Sequence, residues 1–465
     1  MTRRLKAALF RFLGYRALRA EELRSALARF QKAAEQQPGN LDSTFKTAWC
    51  LCLLQNYEAS IEKYDQVLQR DPGCAAAHAY RALSLARVRR LREAIEELQR
   101  ARRMGFPVKG TKSPGFWEGE LGWWLADLGN HAEAIEPLRR SIELEPNDAY
   151  KRYRLGIAYG ELKRHEECMK ELQESIGLDP TQPWAHYALG GCFGDLRRLD
   201  RAVDSYLQAI RLRPDFADAH FNLAYTYGEI GRAGEEIGEY KRVVEIDRSD
   251  RKALINLAIA YSRSGQGEAA IETWKRLIEL EPNEIEGHAS LAVEFERLGR
   301  FQDALGAARE FERIAPSAVS LGNVAALLNR LHQPGEALLK AREATGLDPA
   351  YPDAHLSAGF ALHELGEPKA ALCEYERATE LRPDDVVTLV NLGETYVELG
   401  RGEEGLALLK RAVELEPDCP QAHDSLGLAH LETGNREEAL KELQVIQLLD
   451  AGFEAELSKR LASEK

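Results

Sequence analysis

Six of the eleven histidines, His78, His186, His220, His288, His355 and His423, fall at equivalent places in a recurring pattern. Imidazole is a common metal ligand and general base, so a row of histidines could do chemistry. A metal site, however, needs its ligands converging within a few ångströms, and equivalent positions of successive repeats stand about a helix pair apart. The row is therefore expected to pack rather than to ligate. The seven cysteines, at 50, 52, 74, 168, 192, 373 and 419, are scattered and odd in number, and Cys50-x-Cys52 is not a zinc spacing. They are expected as separate reduced thiols in a reducing, cytoplasmic compartment. The sequence contains no phosphate-cradling glycine loop, His-Glu-x-x-His, nucleophile elbow or Cys-x-x-Cys. These observations predict a protein that is not an enzyme and carries no cofactor or metal.

What positions these residues is a period. Proline recurs at Pro38, Pro72, Pro146, Pro180, Pro214, Pro282, Pro316, Pro349, Pro383 and Pro417, nearly always 34 residues or a multiple of 34 apart. Between prolines the same frame returns, as in Leu155-Gly-x-x-Tyr159, Leu257-Ala-x-x-Tyr261 and Leu392-Gly-x-x-Tyr396. About twelve residues after each Gly or Ala comes a second small residue: Ala134, Ala202, Ala270, Ala304, Ala371 or Ala439. A large apolar residue follows four later, at Leu138, Tyr206, Trp274, Tyr375 and Leu443. Apolar spacing of i, i+3, i+4 and i+7 in each half-period predicts two amphipathic helices, crossing closely at the small residues. Glycine at frame position 15 (Gly129, Gly231, Gly265, Gly299, Gly366, Gly400, Gly434) suits the left-handed turn that ends the first helix. Pro334 and Pro368 suit the start of second helices, and Pro183, Pro352 and Pro420 the start of first helices.

The frame resembles the tetratricopeptide repeat, a 34-residue helix-turn-helix, over roughly residues 7 to 453. The resemblance implies an all-α fold, a right-handed α-α superhelix (solenoid) of about thirteen repeats. A short amphipathic stretch from Phe453 to Leu461 then caps the apolar face of the last one. The organisation expected is three repeats with a basic start (1–106), an irregular insertion (107–114), repeats four to thirteen (115–453), and a capping helix and tail (454–465). The insertion, Pro107 to Pro114, adds six residues to the frame and reads as a loop, on a binding face or at a joint between subarrays. One residue is lost between Pro316 and Pro349, and Pro137, inside a second helix, predicts a kink there.

The composition is 29% charged, and no apolar run is long enough to span a bilayer. The first basic residues, Arg3, Arg4, Lys6, Arg11, Arg16 and Arg19, precede the first acid at Glu21. They read as part of the first repeat, with a membrane-surface or targeting helix as the alternative. The net charge of -13 resides entirely from Ser317 onward, where 14 basic residues face 27 acidic ones. An acidic chain with no continuous basic stripe argues against nucleic acid as partner.

In the family, positions 2, 5, 6, 9 and 13 of each first helix line a concave wall. Aromatic residues there are Phe45 and Trp49, Phe116 and Trp123, Tyr150 and Tyr153, Trp184 and Tyr187, and Phe221 and Tyr225. Tyr153, Tyr187 and Phe221 are spaced to form a ladder, either for apolar or proline-rich side chains of a ligand or for stacking between repeats. Position 6 carries Asn222, Asn256, Asn323 and Asn391, with Ser290, Ser357 and Ser425 between or after them. Such an asparagine row is similar to the repeat region of O-linked N-acetylglucosamine transferase, where amides hold the backbone of an extended peptide. A carboxamide suits that role because it both donates and accepts. Lys151 and Arg154 resemble part of the clamp by which chaperone adaptors hold an acidic tail, but Glu120 and Tyr80 stand where its remaining members would be. The expected partner is thus an extended protein or peptide segment. A membrane-surface or complex-assembly organiser, or a regulatory subunit of a separate enzyme, is the alternative.

Overall fold

The computed structural model describes residues 20–37, 39–107, 112–450, 453 and 456–463. The basic start before residue 20, with the membrane or targeting alternative, lies outside the described residues, as does the centre of the insertion (108–111). Among the described residues there are 26 helices and no strand. From Leu41 onward they alternate between first helices of mostly 13 residues, as Ala217–Glu229, and second helices of mostly 14, as Ala233–Ile246. On either side of Ile246 each packs on its neighbours in order, which makes an all-α solenoid of helix pairs.

The small residues sit where the helices cross. Ala134, Ala202, Ala270, Ala304, Ala371 and Ala439 have no solvent-accessible surface. At frame position 8, Gly122, Gly156, Gly190 and Gly393 lie so close to the large residue sixteen later that an added Cβ would overlap it. At Gly190 the Cβ would lie 2.6 Å from Cε1 of Tyr206, and at Gly393 2.7 Å from Cγ of Leu409. Position 8 therefore sets how closely the two helices of a repeat approach.

The turn between them needs a left-handed residue. All seven glycines expected at position 15 have φ between 71° and 81°. Where the residue is not glycine, at Gln55, Arg89, Lys163, Arg197 and His332, φ is still positive. Three of these five use their side chains across the repeat boundary. Lys163 pairs with Asp195 at 3.5 Å, Arg197 with Glu229, and His332 Nδ1 with Glu364 at 2.8 Å. Each partner stands at position 13 of the next first helix.

The registered histidines do pack, and they also tie each repeat together. In all six, Nε2 lies 2.9 to 3.2 Å from the carbonyl of the frame proline six residues earlier. That carbonyl fixes the hydrogen on Nε2. In four of them Nδ1 also meets a glutamate nineteen residues later: Glu97, Glu239, Glu374 or Glu442, at 2.5 to 2.7 Å. His186 and His288 have Ser205 and Ala307 at that place and make only the first bond.

Cys168 and Cys192 depart from the sequence expectation by forming a disulfide. It joins the helices His165–Leu178 and Pro183–Asp195. The physical reason is register: position 20 of one repeat faces position 10 of the next, a proximity that scattered numbering hides. The other five cysteines are free thiols, and burial pushes that of Cys50 up to about 11. The helix His131–Leu144 runs unbroken through Pro137.

The described residues fall into two compact units divided between Ile246 and Asp247. The first is built on one extended core that includes Tyr64, Trp117, Leu138, Leu172 and Tyr206. At the end of the second unit the helix Glu456–Ser463 buries Leu457 and Leu461 against Ala439 and Ile446. Asp424 accepts hydrogen bonds from the backbone N–H groups of Glu456 and Leu457, capping that helix from outside. The last apolar face is thereby covered, as a terminal repeat requires.

Candidate functional site

In each first helix, packing against the second helix and the neighbouring repeat uses positions 3, 4, 7, 8, 10 and 11. Positions 2, 9 and 13 are left facing outward, with 5 and 6 at the edge of the core. The expected ligand residues divide accordingly. Tyr150, Trp184 and Tyr225 stand out from the surface, at 37%, 39% and 56% exposure. Tyr153, Tyr187 and Phe221 are half-buried and pack downward. Tyr187 lies on Tyr206 and Phe216, with centroids 5.9 and 5.0 Å apart, and Phe221 lies edge-on to Tyr240 at 5.4 Å. The three are in register, but each spends at least one edge on core packing.

A second aromatic group spans repeats four and five. Trp123 meets Tyr150 edge-on at 5.7 Å, and Tyr150 meets Tyr153 at 5.9 Å. Arg154 lies over the Trp123 ring at 4.4 Å while its guanidinium donates to Asp127 at 2.8 Å. Beside it a cleft of about 240 Å³ is lined by Leu83, Arg87, Glu120, Trp123 and Trp124 among others. Glu120 sits in this cleft with its carboxyl pushed above the ordinary value by loss of hydration, against the pull of Arg87, Lys112 and Arg154. Lys112, where the insertion rejoins the frame, lies 3.7 Å over the ring of Phe116. Lys151 plays no part on this face, since it is buried and its ammonium donates to Glu145 and to the carbonyl of Gly115. Arg87 and Glu120 were not singled out as ligand residues from sequence; the signal available was a charge at positions 13 and 6 beside a tryptophan pair.

The asparagine row is real as a row but not uniform. Asn222, in the first compact unit, donates from Nδ2 to the hydroxyl of Tyr187 at 3.0 Å, so it already serves the fold. In the second unit, Asn256 and Asn391 donate to the carbonyls of Lys252 and Val387 in their own helices, at 2.8 and 2.6 Å, and their amide oxygens accept nothing among the described residues. Asn323 is half-buried and makes no hydrogen bond among the described residues. Of the serines, Ser357 and Ser425 are buried, and Ser425 donates to Glu394. Between the asparagines the surface is apolar at position 9: Ile259 is 40% exposed, Val293 51% and Phe360 36%.

No group of three or more His, Cys, Asp or Glu that could hold a metal occurs among the described residues. No helix among them is long and apolar enough to cross a membrane. The face offers aromatic, amide and charged groups in repeating order, a chemistry of binding.

Comparison with known families gives matches along most of the chain. A TPR repeat family matches residues 195–231, and Tetratricopeptide repeat families match 13–75, 54–107, 255–319 and 327–386, then 362–428, and also 119–148, 152–182 and 217–250. No curated protein matches. Among solved structures, the APC/C hetero-tetramer Cut9-Hcn1 is similar at 14% identity and a TM-score of 0.44, covering 95% of this chain and 93% of that one. A tetratricopeptide repeat protein from Parabacteroides merdae is 14% identical with a TM-score of 0.46, covering 53% of this chain and 96% of that one. MamA is 22% identical with a TM-score of 0.32, covering 35% and 95%. With a family match in almost every repeat and helix pairs packed in the order the frame demands, the chain belongs to the tetratricopeptide repeat proteins, which serve in general as protein–protein interaction scaffolds.

Proposed function

We propose that the protein is a non-catalytic scaffold that holds an extended segment of a partner protein along the outward face of its first helices. The exposed aromatics Tyr150, Trp184 and Tyr225 would take apolar or proline side chains, with Tyr153, Tyr187 and Phe221 as their floor. Asn256, Asn323 and Asn391 would take the partner's backbone. The observation that carries this reading is the second unit's face, where amides with unused oxygens alternate with exposed Ile259, Val293 and Phe360. An amide oxygen accepts a backbone N–H while the apolar residue beside it covers a side chain. Each such hydrogen bond contributes about 0.5 to 1.5 kcal/mol net, so affinity comes from repetition.

The test is co-purification of partners with the intact chain and with a variant carrying Asn256→Ala, Asn323→Ala and Asn391→Ala. Asn222 is left unchanged because its substitution would also release Tyr187. Loss of the captured partner supports the proposal. Capture at undiminished yield places the binding surface elsewhere.

A further inference from the structure

The junction between repeats five and six differs from its counterparts in what fills its centre. Position 20 of a second helix faces position 10 of the next first helix. The frame puts Ala134 with Ala158 at this place, and Ala337 with Ala361, all without accessible surface. Between repeats two and three it holds Ser60 and Ser84, whose hydroxyl oxygens lie 3.1 Å apart. Between repeats five and six it holds Cys168 and Cys192, which are covalently joined and only 1% and 6% exposed. Room beside both sulfurs is kept by Gly160, where a Cβ would lie 3.3 Å from Sγ of Cys168 and 3.9 Å from Sγ of Cys192.

The helix on the far side of this crosslink is weak by composition. Pro183–Asp195 contains Gly190, Gly191 and Gly194. Gly190 serves the packing against Tyr206, but a Cβ at Gly191 would come no nearer than 3.9 Å to anything, and at Gly194 it would meet nothing within 4 Å. The helix Pro114–Asp127 also carries three glycines, yet there the added Cβ atoms would lie 2.9, 3.0 and 2.6 Å from Glu145, Ser141 and Leu138. Those three are demanded by close neighbours; Gly191 and Gly194 are not. Each costs its helix about four- to fivefold in stability against alanine.

A second tie crosses the same junction, Lys163 to Asp195 at 3.5 Å, but its side chains are 73% and 49% exposed, and an exposed pair contributes little. The covalent tie at the centre is the one that a change of conditions can remove outright.

We propose that Cys168 and Cys192 form a redox-operated brace. Oxidised, the pair locks the glycine-weakened helix Pro183–Asp195 onto the second helix of repeat five. Reduced, the junction keeps only its noncovalent contacts and that helix opens more often. Release is thiol–disulfide exchange with a dithiol. The thiolate of the dithiol attacks one cysteine sulfur, the S–S bond breaks, and the other cysteine leaves as a thiolate that takes up a proton. The second thiol of the reductant then displaces the first cysteine and closes to a cyclic disulfide, so two electrons and two protons pass to the protein. Because both sulfurs are buried, attack waits on opening of the junction, and the closed brace is slow to release. The helix under control carries Trp184 and Tyr187, but the brace stands whether or not that face binds a partner.

The test uses the full chain alone. After treatment with diamide, thiol alkylation and peptide mass spectrometry should find Cys168 linked to Cys192. Dithiothreitol should then lower amide protection across 183–195 by about tenfold or more, the scale on which crosslinks closing loops of this length act. Protection of the helix Arg251–Arg263 should stay within about twofold. A variant with Cys168→Ala and Cys192→Ala, which restores the residue pair of other junctions, should show no response to dithiothreitol. Gly191→Ala with Gly194→Ala should raise protection of the reduced form by about fivefold or more and slow reduction by a similar factor. Unlinked cysteines, protection of 183–195 unchanged by reduction, or a response that persists in the cysteine variant overturns the proposal. A glycine variant whose reduced form is no better protected overturns the role given to the weak helix.

Discussion

Substituting His220 by alanine should cost more stability than substituting His288, although the two occupy the same frame position and are similarly buried, at 5% and 7% exposure. Both variants lose a hydrogen bond to a proline carbonyl, at 3.1 Å from Pro214 and 3.0 Å from Pro282, and both leave a comparable cavity. Those costs cancel in the comparison. What remains is the contact of His220 Nδ1 with Glu239 at 2.6 Å, which His288 lacks because Ala307 stands at the equivalent place. A hydrogen bond between an imidazole and a carboxyl group is charge-assisted when its partners are ionised. Such bonds are worth about 1.5 to 3 kcal/mol; the Glu239 side chain is a quarter exposed and partly rehydrates, which lowers the figure to about 1 to 2 kcal/mol. A repeat array does not unfold as one unit, so a global midpoint is the wrong readout. Amide hydrogen exchange across the helices Ala233–Ile246 and Phe301–Ile314 reports each repeat separately. Protection should fall about 5- to 30-fold further in the first variant than in the second. Equal losses, or a larger loss at His288, would refute the view that the glutamate partner stabilises the histidine hook.

Three further outcomes follow from the packing. Gly190→Ala should destabilise its repeat by about 1 kcal/mol net, overpacking against Tyr206 outweighing the gain in helix propensity, whereas Gly238→Ala, with open space around its Cβ, should stabilise by about the same amount; chemical denaturation of both variants checks the sign. Glu394→Gln should raise stability at neutral pH. Its carboxyl lies on a face that solvent reaches but neighbouring helices crowd, and loss of hydration raises it above the ordinary 4.5, so the folded state binds the proton more tightly than the unfolded one. Stability from this group is therefore present below the ordinary carboxylate range and lost as pH rises through the raised value; the advantage of the glutamine should vanish near pH 3, and a pH-independent difference would count against the assignment. Leu457→Ala, at a fully buried position, should cost about 2 to 4 kcal/mol locally and expose amides of the last repeat to exchange while leaving repeats eight to ten protected.

The fold was legible because the frame repeats. Pro334, Pro352, Pro368 and Pro420 begin helices, the seven glycines of position 15 turn left-handed, and Leu457 and Leu461 close the end, each at the place the period assigns. What the sequence hid were relations between neighbouring repeats at different positions. Cys168 and Cys192 are 24 apart, a separation that means nothing until position 20 is known to face position 10 of the next repeat. The division after Ile246 has a trace in the sequence, since Arg248 stands where the frame proline belongs, but the spacing there is regular and gives no warning. The candidate site was half legible. Its rows could be named from the register, whereas the commitment of Asn222 to Tyr187, and of Tyr187 and Phe221 to the core, depends on side-chain reach.

The same distinction separates the aromatic residues of position 5 from the charges of position 13. An aromatic residue at position 5 can satisfy itself by leaning on its own repeat, as Tyr187 does on Tyr206 and Phe221 on Tyr240. A charge at position 13 can also be met from the adjacent turn or helix. Where that neighbour supplies an opposite charge, as Lys163, Arg197 and His332 do, the row is a seam between repeats. In repeats eight and nine the turns carry Gly265 and Gly299, which relieve the left-handed backbone and supply no side chain to pair. Glycine in the turn does not decide the sign at position 13, since Gly366 and Gly400 precede Glu398 and Glu432, but it leaves that residue to find a partner elsewhere, as Glu398 does in His363. Converting Gly299 to aspartate would offer Arg330 an internal partner at the place where Lys163 meets Asp195, at a backbone cost of about 1 kcal/mol, of which an exposed ion pair should return about 0.2 to 1 kcal/mol. Equal loss of amide protection in that variant and in Gly299→Ala, which carries the backbone cost and no carboxylate, would show that the pair does not form.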